Sequence, residues 1–187
     1  MAYRSLAQRG IQAGPQSSKM GLSGSVEDVM KGIAYVETRG APDAYSKKGV
    51  VVSKGMYAGD RALGKYQVMG KNVGPWTKQY LGVEMTPEQF IANPEAQEKL
   101  ARARMSELLQ QYGTPEDVAS VWFTGRPLAK AGGSPQDDTG TSNNEYQELF
   151  KIGMAGQGGA GSQVRPAIAT ARGGGGYIPL AQRGYTA

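Results

Sequence analysis

With no cysteine and no histidine in its 187 residues, the chain can move protons only through Asp, Glu, Lys or Tyr. The same absence excludes thiol nucleophiles, Ser-His-Asp triads, zinc fingers and His-ligated metal centres. No cofactor and no metal is therefore expected. Among the acids, Glu37 stands out by position. Val26, Val29, Met30 and Ile33 recur at the i, i+3, i+4, i+7 spacing of one helix face, and four residues further along that face lies Glu37. A carboxyl at the inner end of an apolar stripe is poorly solvated, which disfavours its charged form and suits it to donate a proton near neutral pH. The competing reading places Glu37 on the polar margin of the stripe, methylenes packed and head in water. What favours chemistry is a second stretch, Gly64-Lys65-Tyr66-Gln67-Val68-Met69.

The elements around these residues are legible from their punctuation. Ser25-Val26-Glu27-Asp28 is a capping-box pattern that opens a helix at Val26, and Gly40 and Pro42 close it after Thr38, leaving Glu37 in the last turn at the lip of a cleft. Residues 41–63 read as a loop flanking that cleft, in which Gly49–Ser53 and Gly55–Gly59 could form a short hairpin. Gly74-Pro75-Trp76 reads as a helix restarting with Pro at its first position. Thr86-Pro87-Glu88, Asn93-Pro94-Glu95 and Thr114-Pro115-Glu116 each place a capping side chain, a proline and an acid in order, so three more helices begin there. The long one buries Ala101, Met105, Leu108, Leu109 and Tyr112. The next buries Val118, Ala119, Val121 and Trp122. A loop follows from Arg126 to Ser142, and a last helix from Asn143 buries Tyr146, Leu149 and Phe150. Helices with short connections dominate, so the fold class is mainly α.

The ends differ from this middle. Residues 1–24 and 153–187 are rich in Gly, Ala, Ser and Gln and read as an extended arm and as a Gly-rich linker with a second arm, on either side of a single domain at 25–152. The arms carry Arg4, Arg9, Lys19, Arg165, Arg172 and Arg183 and no acid, which accounts for the whole surplus of +5. The middle is nearly neutral, which argues against a nucleic-acid groove on the folded domain. No apolar run is long enough to span a membrane and none opens the chain as a signal peptide, so synthesis in a cytoplasm is expected. The arms also repeat one another. Tyr3-Arg4-Ser5-Leu6-Ala7-Gln8-Arg9-Gly10 and Tyr177-Ile178-Pro179-Leu180-Ala181-Gln182-Arg183-Gly184 differ only at their second and third positions. Tyr3, Leu6 and Arg9, and likewise Tyr177, Leu180 and Arg183, would serve as anchors and charged clamps for equivalent grooves on a symmetric partner.

A helix ending Glu37-Thr38-Arg39-Gly40, then Gly64-Lys65-Tyr66-Gln67-Val68-Met69, then Ala119-Ser120-Val121-Trp122-Phe123-Thr124-Gly125, resembles the lytic transglycosylases of the lysozyme-like superfamily, most closely those carried in bacteriophage particles. The likeness covers residues 26–151 and neither arm. It implies a lysozyme-like domain with Glu37 as catalytic acid and base and with Thr38 where Ser is commoner. It implies that Gly64, Tyr66 and Gln67, matching the family's Gly-x-x-Gln, line the sugar cleft. The third motif usually reads Ala-x-x-Tyr-Asn-x-Gly, its tyrosine reaching the catalytic carboxyl. Here Ala119 and Gly125 match, whereas Trp122 and Phe123 replace Tyr and Asn, so that Tyr66 or Thr38 is left to supply the contact.

The resulting expectation is a peptidoglycan-cleaving lytic transglycosylase in a phage particle, aiding genome entry at the host cell wall. Thr38, Tyr66, Gln67, Trp122 and Arg126 would contact substrate, with Tyr57 and Trp76 as further aromatic platforms, and both arms would dock on a portal, adaptor or tail ring. One carboxyl suffices for such a reaction, because the sugar's own C6 hydroxyl replaces water. A muramidase is the first rival, and it needs a second carboxylate, Asp43 or Asp60. A catalytically inert virion structural or wall-binding protein is the second. A free endolysin is the third, and has no use for duplicated arms.

Overall fold

The computed structural model describes residues 24–53, 57–131 and 141–156, and the structural statements below concern those residues. The six arm residues Tyr3, Leu6, Arg9, Tyr177, Leu180 and Arg183 lie outside them. The fold is mainly helical, with α1 (Val26–Thr38), α2 (Gly70–Leu81), α3 (Pro87–Ile91), α4 (Pro94–Tyr112), α5 (Pro115–Thr124), α6 (Leu128–Ala131) and α7 (Asn143–Met154) around one small hairpin. No described helix is long and apolar enough to cross a membrane.

Local capping explains most of the boundaries. Ser25 Oγ accepts the Asp28 N–H, and the Asp28 carboxylate takes back the Ser25 N–H and hydroxyl, which fixes the start of α1. Thr86, Asn93 and Thr114 accept the N–H groups of Gln89, Ala96 and Asp117, each followed by proline at the start of its helix. Ser142 and Glu145 form the same reciprocal box at α7.

Three expectations are corrected. α2 does not restart at Pro75 but runs through it from Gly70, sacrificing the one hydrogen bond that proline cannot donate. Its exposed N-terminus is satisfied instead by Asp60, whose Oδ2 accepts the Lys71 N–H at 2.9 Å. The hairpin lies further along the chain than expected, between β1 (Ala62–Leu63) and β2 (Val68–Met69), with Ala62 opposite Met69 and Leu63 opposite Val68. Gly64 at φ 72 and Gln67 at φ 49 bracket its turn, which the Gln67 N–H closes on the Gly64 carbonyl at 3.1 Å. Beside β1, Lys48 forms a single bridge to Leu63 and the Gly49 N–H reaches the Ala62 carbonyl at 2.8 Å, but residues 49–53 add no strand. Finally, Leu128–Ala131 makes a helical turn within the region read as loop.

The packing that matters most for the site is between α1 and α7. A Cβ on Gly153 would fall 2.6 Å from Tyr35 Cβ and 2.9 Å from Gly32 Cα, and one on Gly32 would fall 2.5 Å from the Phe150 ring. Two glycines thus let the helices cross at near backbone contact. The rest of the core is Leu100, Met105 and Leu108 of α4 with Val118, Trp122 and Phe123 of α5, all at most 2% exposed.

Candidate active site

Glu37 ends the apolar stripe of α1 and is 3% exposed. The close α1–α7 crossing carries Tyr146 to it, and the Tyr146 hydroxyl donates to Glu37 Oε1 at 2.9 Å across 109 residues of chain. Tyr146 is itself 0% exposed and lies flat against Phe123, ring centroids 4.8 Å apart and planes at 10°. Burial, followed by the charge and hydrogen bond of Glu37, pushes the Tyr146 phenol well above the ordinary tyrosine range. It therefore remains a donor at any physiological pH. Thr38 does not reach the carboxyl, because its hydroxyl donates back to the Ala34 carbonyl at 2.9 Å. Beyond the helix, Lys47 Nζ donates to the Glu37 carbonyl at 3.4 Å, and Arg39 caps α1 in the left-handed region at φ 54.

The Gly64–Gln67 turn is held from behind by α4. Gln97 Oε1 accepts the Lys65 N–H at 3.0 Å while its Nε2 donates to the Tyr45 carbonyl at 2.9 Å. A Cβ on Gly64 would sit 2.0 Å from that Oε1, so sterics as well as φ require glycine here. At the next residue, the Glu98 carboxylate accepts from Tyr45 Oη and Lys65 Nζ, both at 2.6 Å, and from Tyr66 Oη at 2.8 Å. Burial works to raise the Glu98 carboxyl, but the hydrogen bonds from Lys65, Tyr45 and Tyr66 outweigh it and hold the group below its ordinary value. Burial and the Glu98 contact together push the Tyr66 phenol far up. Gln67 is 0% exposed and folds back, its Nε2 donating to the Gly64 carbonyl at 2.7 Å.

The sequence-based site residues therefore separate. Glu37 and Thr38 lie together at the end of α1, where the structure adds Lys47, which the sequence did not single out. Tyr66 does not meet Glu37 as expected, since Glu98 takes its hydroxyl. Trp122 is 2% exposed and packs on Trp76 at 6.1 Å between centroids, which makes it core rather than a sugar platform in this conformation. Tyr57 is 4% exposed and bonded to Asn72 at 3.1 Å, so it too presents no open face. Arg126 is exposed, while its carbonyl accepts the hydroxyls of Ser120 and Thr124. Asp60 spends one oxygen on the Lys71 N–H and the other on the Arg61 N–H at 2.8 Å. Asp43 is exposed ahead of a 3₁₀ turn at Ala44–Ser46. A surface cavity of about 410 Å³ lined by Val83, Met85, Ala92 and Asn93 contains none of these groups. Sequence reasoning missed Tyr146 and Glu98 as site residues. Tyr146 has the helical spacing of a core residue, and Glu98 that of a solvated face.

The family model described as "Transglycosylase SLT domain" matches residues 17–126, more than half of the chain. The match spans Glu37, the Gly64–Gln67 turn and Trp122, and ends before Tyr146. Comparison with curated proteins and with solved structures gives no match.

Proposed function

The chain belongs to the transglycosylase SLT domain family, and from that premise we propose that it is a lytic transglycosylase cutting peptidoglycan glycan strands with Glu37 as both acid and base. The observation that carries this reading is the buried pair of Glu37 and Tyr146. In the first step the Glu37 carboxylic acid gives its proton to the glycosidic oxygen as the C1–O bond breaks, and the bonding pair leaves with that oxygen. In the second, the carboxylate takes the proton of the C6 hydroxyl while O6 closes on C1, giving a 1,6-anhydro ring and restoring the acid. Tyr146 donates throughout and stabilises the carboxylate formed between the steps, in a site with so little solvent that the bond is worth more than it would be in water.

The muramidase reading requires a carboxylate to activate water. Both Asp60 oxygens are already committed to backbone N–H groups, and the exposed Asp43, whose carbonyl takes the Ser46 N–H and hydroxyl, has no hydrogen bond among the described residues that would orient its carboxylate toward a water. The test is the mass of products released from purified sacculi in water enriched in oxygen-18. Anhydro-muropeptides without the label are expected, one water lighter than hydrolysis products. Label at the reducing end would establish hydrolysis, and no product at all would support the inert reading.

We further place the enzyme in a phage particle, synthesised in the host cytoplasm and acting on the host wall during genome entry. The support is the pair of matching octapeptides, which suits attachment to a ring that repeats one groove.

A further inference from the structure

Burial alone does not aim the Tyr146 hydroxyl at Glu37. In a tyrosine the torsion that turns the ring has broad minima and does not hold the ring by itself. The phenolic O–H lies close to the plane of its ring, so turning the ring about its long axis leaves the oxygen in place and swings the proton off its acceptor. Packing must therefore set the plane. On one face of Tyr146 that packing is Phe123, with ring centroids 4.8 Å apart and planes at 10°. Both residues are 0% exposed. A second contact registers the two helices. Asn143 Nδ2 of α7 donates to Ser120 Oγ of α5 at 3.2 Å, and these residues too are 0% exposed. Ser120 lies three residues before Phe123 and Asn143 three before Tyr146, so each polar residue sits one turn from the ring on its own helix. Ser120 is held in turn, its hydroxyl donating to the Arg126 carbonyl at 2.8 Å.

Phe123 has no polar atom with which to share in proton transfer, and what it offers the site is a flat surface. We propose that Phe123 is a positioning residue: its ring, brought into register by the Ser120–Asn143 bond, fixes the plane of Tyr146 so that the hydroxyl keeps its proton on Glu37 Oε1. This rests on the reading of Glu37 and Tyr146 as the pair that performs the chemistry. As Glu37 gives up and regains its proton, the acceptor changes charge. A donor held by apolar packing rather than by that charge stays in line through both states, and no reorientation of Tyr146 is needed between the two steps.

The test is a double-mutant cycle in the full chain, read on purified sacculi at a temperature where circular dichroism shows every variant folded. Phe123→Met replaces the flat ring by a flexible apolar chain that fills much of the same space, and should lower kcat about three- to tenfold with KM within about twofold of wild type, a part of what losing the whole hydrogen bond would cost. In the Tyr146→Phe background, where no hydroxyl remains to be aimed, Phe123→Met should change kcat by less than about twofold. Ser120→Ala keeps the ring and loosens the register, and should repeat this pattern with a smaller loss. A second readout needs no turnover. The Tyr146 hydroxyl proton, identified by nuclear magnetic resonance as the signal that Tyr146→Phe removes, should exchange with water at least about tenfold faster in Phe123→Met than in wild type. A kcat that neither variant lowers, a loss of equal size in both backgrounds, or a hydroxyl proton that keeps its wild-type exchange rate in Phe123→Met would overturn the positioning role. If the hydroxyl proton responds as expected while even the wild type releases no anhydro product, what fails is the proposed function.

Discussion

At the scale of single residues, the site reduces to one carboxyl and one phenol. Glu37→Gln should lower kcat by at least the roughly 10²- to 10⁴-fold typical of a positioned acid–base group. Its melting temperature should hardly move, because an amide oxygen at the same place still accepts the Tyr146 hydroxyl. Tyr146→Phe should also lower kcat, by about 10- to 100-fold, as loss of a hydrogen bond to a charged group implies, while KM stays close to the wild-type value. Turnover and KM on sacculi, with thermal unfolding as control, check both. Similar turnover in the two variants and the wild type would remove the pair from the chemistry. Glu37 was legible because an acid in register with Val26, Val29, Met30 and Ile33 is a local pattern. Its partner was not. Nothing within a helical turn of Tyr146 distinguishes a core tyrosine from one aimed at a carboxyl contributed 109 residues earlier. Trp122 was misread as a platform because its type suits sugars, whereas its spacing with Val118 and Ala119 already marked a buried face.

At the scale of elements, two contacts hold the site together. The Gly32–Gly153 crossing sets the depth at which α7 meets α1. Gly153→Val inserts side-chain atoms where backbone atoms now touch, and should destabilise the fold by about 1–3 kcal/mol. It should also lower kcat at temperatures where the variant remains folded, because Tyr146 withdraws with its helix. A melting-point loss with turnover intact would show that Tyr146 does not depend on this crossing. Behind the Gly64–Gln67 turn, Glu98 is held below its ordinary value of 4.5 in the folded state. A depressed carboxyl contributes stability that is fully present above the unfolded value and is lost as pH falls through the folded one. Wild type should therefore exceed Glu98→Gln in denaturant midpoint at pH 7, and that gap should close on acidification below the ordinary carboxylate range. A gap that stays constant with pH would mean that the Glu98 charge is not what holds Tyr45, Lys65 and Tyr66. The starts of α3, α4 and α5 were legible, because a capping side chain followed by proline is a rule within four residues, whereas α2, which carries no side-chain cap of its own, was not. The hairpin was displaced because its turn is set by Gln97 on α4, a long-range contact that leaves no mark on residues 49–63.

At the scale of the whole molecule, the two octapeptides make a prediction that owes nothing to the site. Two weak attachments on one chain raise effective concentration, so modest affinity for each groove gives firm mounting. A chain trimmed to residues 24–156, which keeps the whole of α7, should keep its activity on cell wall and fail to enter particles, and a free peptide of residues 177–184 should compete with both arms for one class of site. Arms that instead bind DNA with a steep salt dependence, and a peptide that competes for nothing on the particle's protein rings, would defeat this reading. The closure of Glu37 on Tyr146 has a consequence of another kind. The acid lies on the first helix of the fold and its hydrogen-bond donor on the last, so a nascent chain that has not yet extended past residue 146 lacks half of the pair. Prematurely terminated products then lack the donor however well their earlier helices form, so the full rate of wall cutting is reached only when translation of the domain is complete.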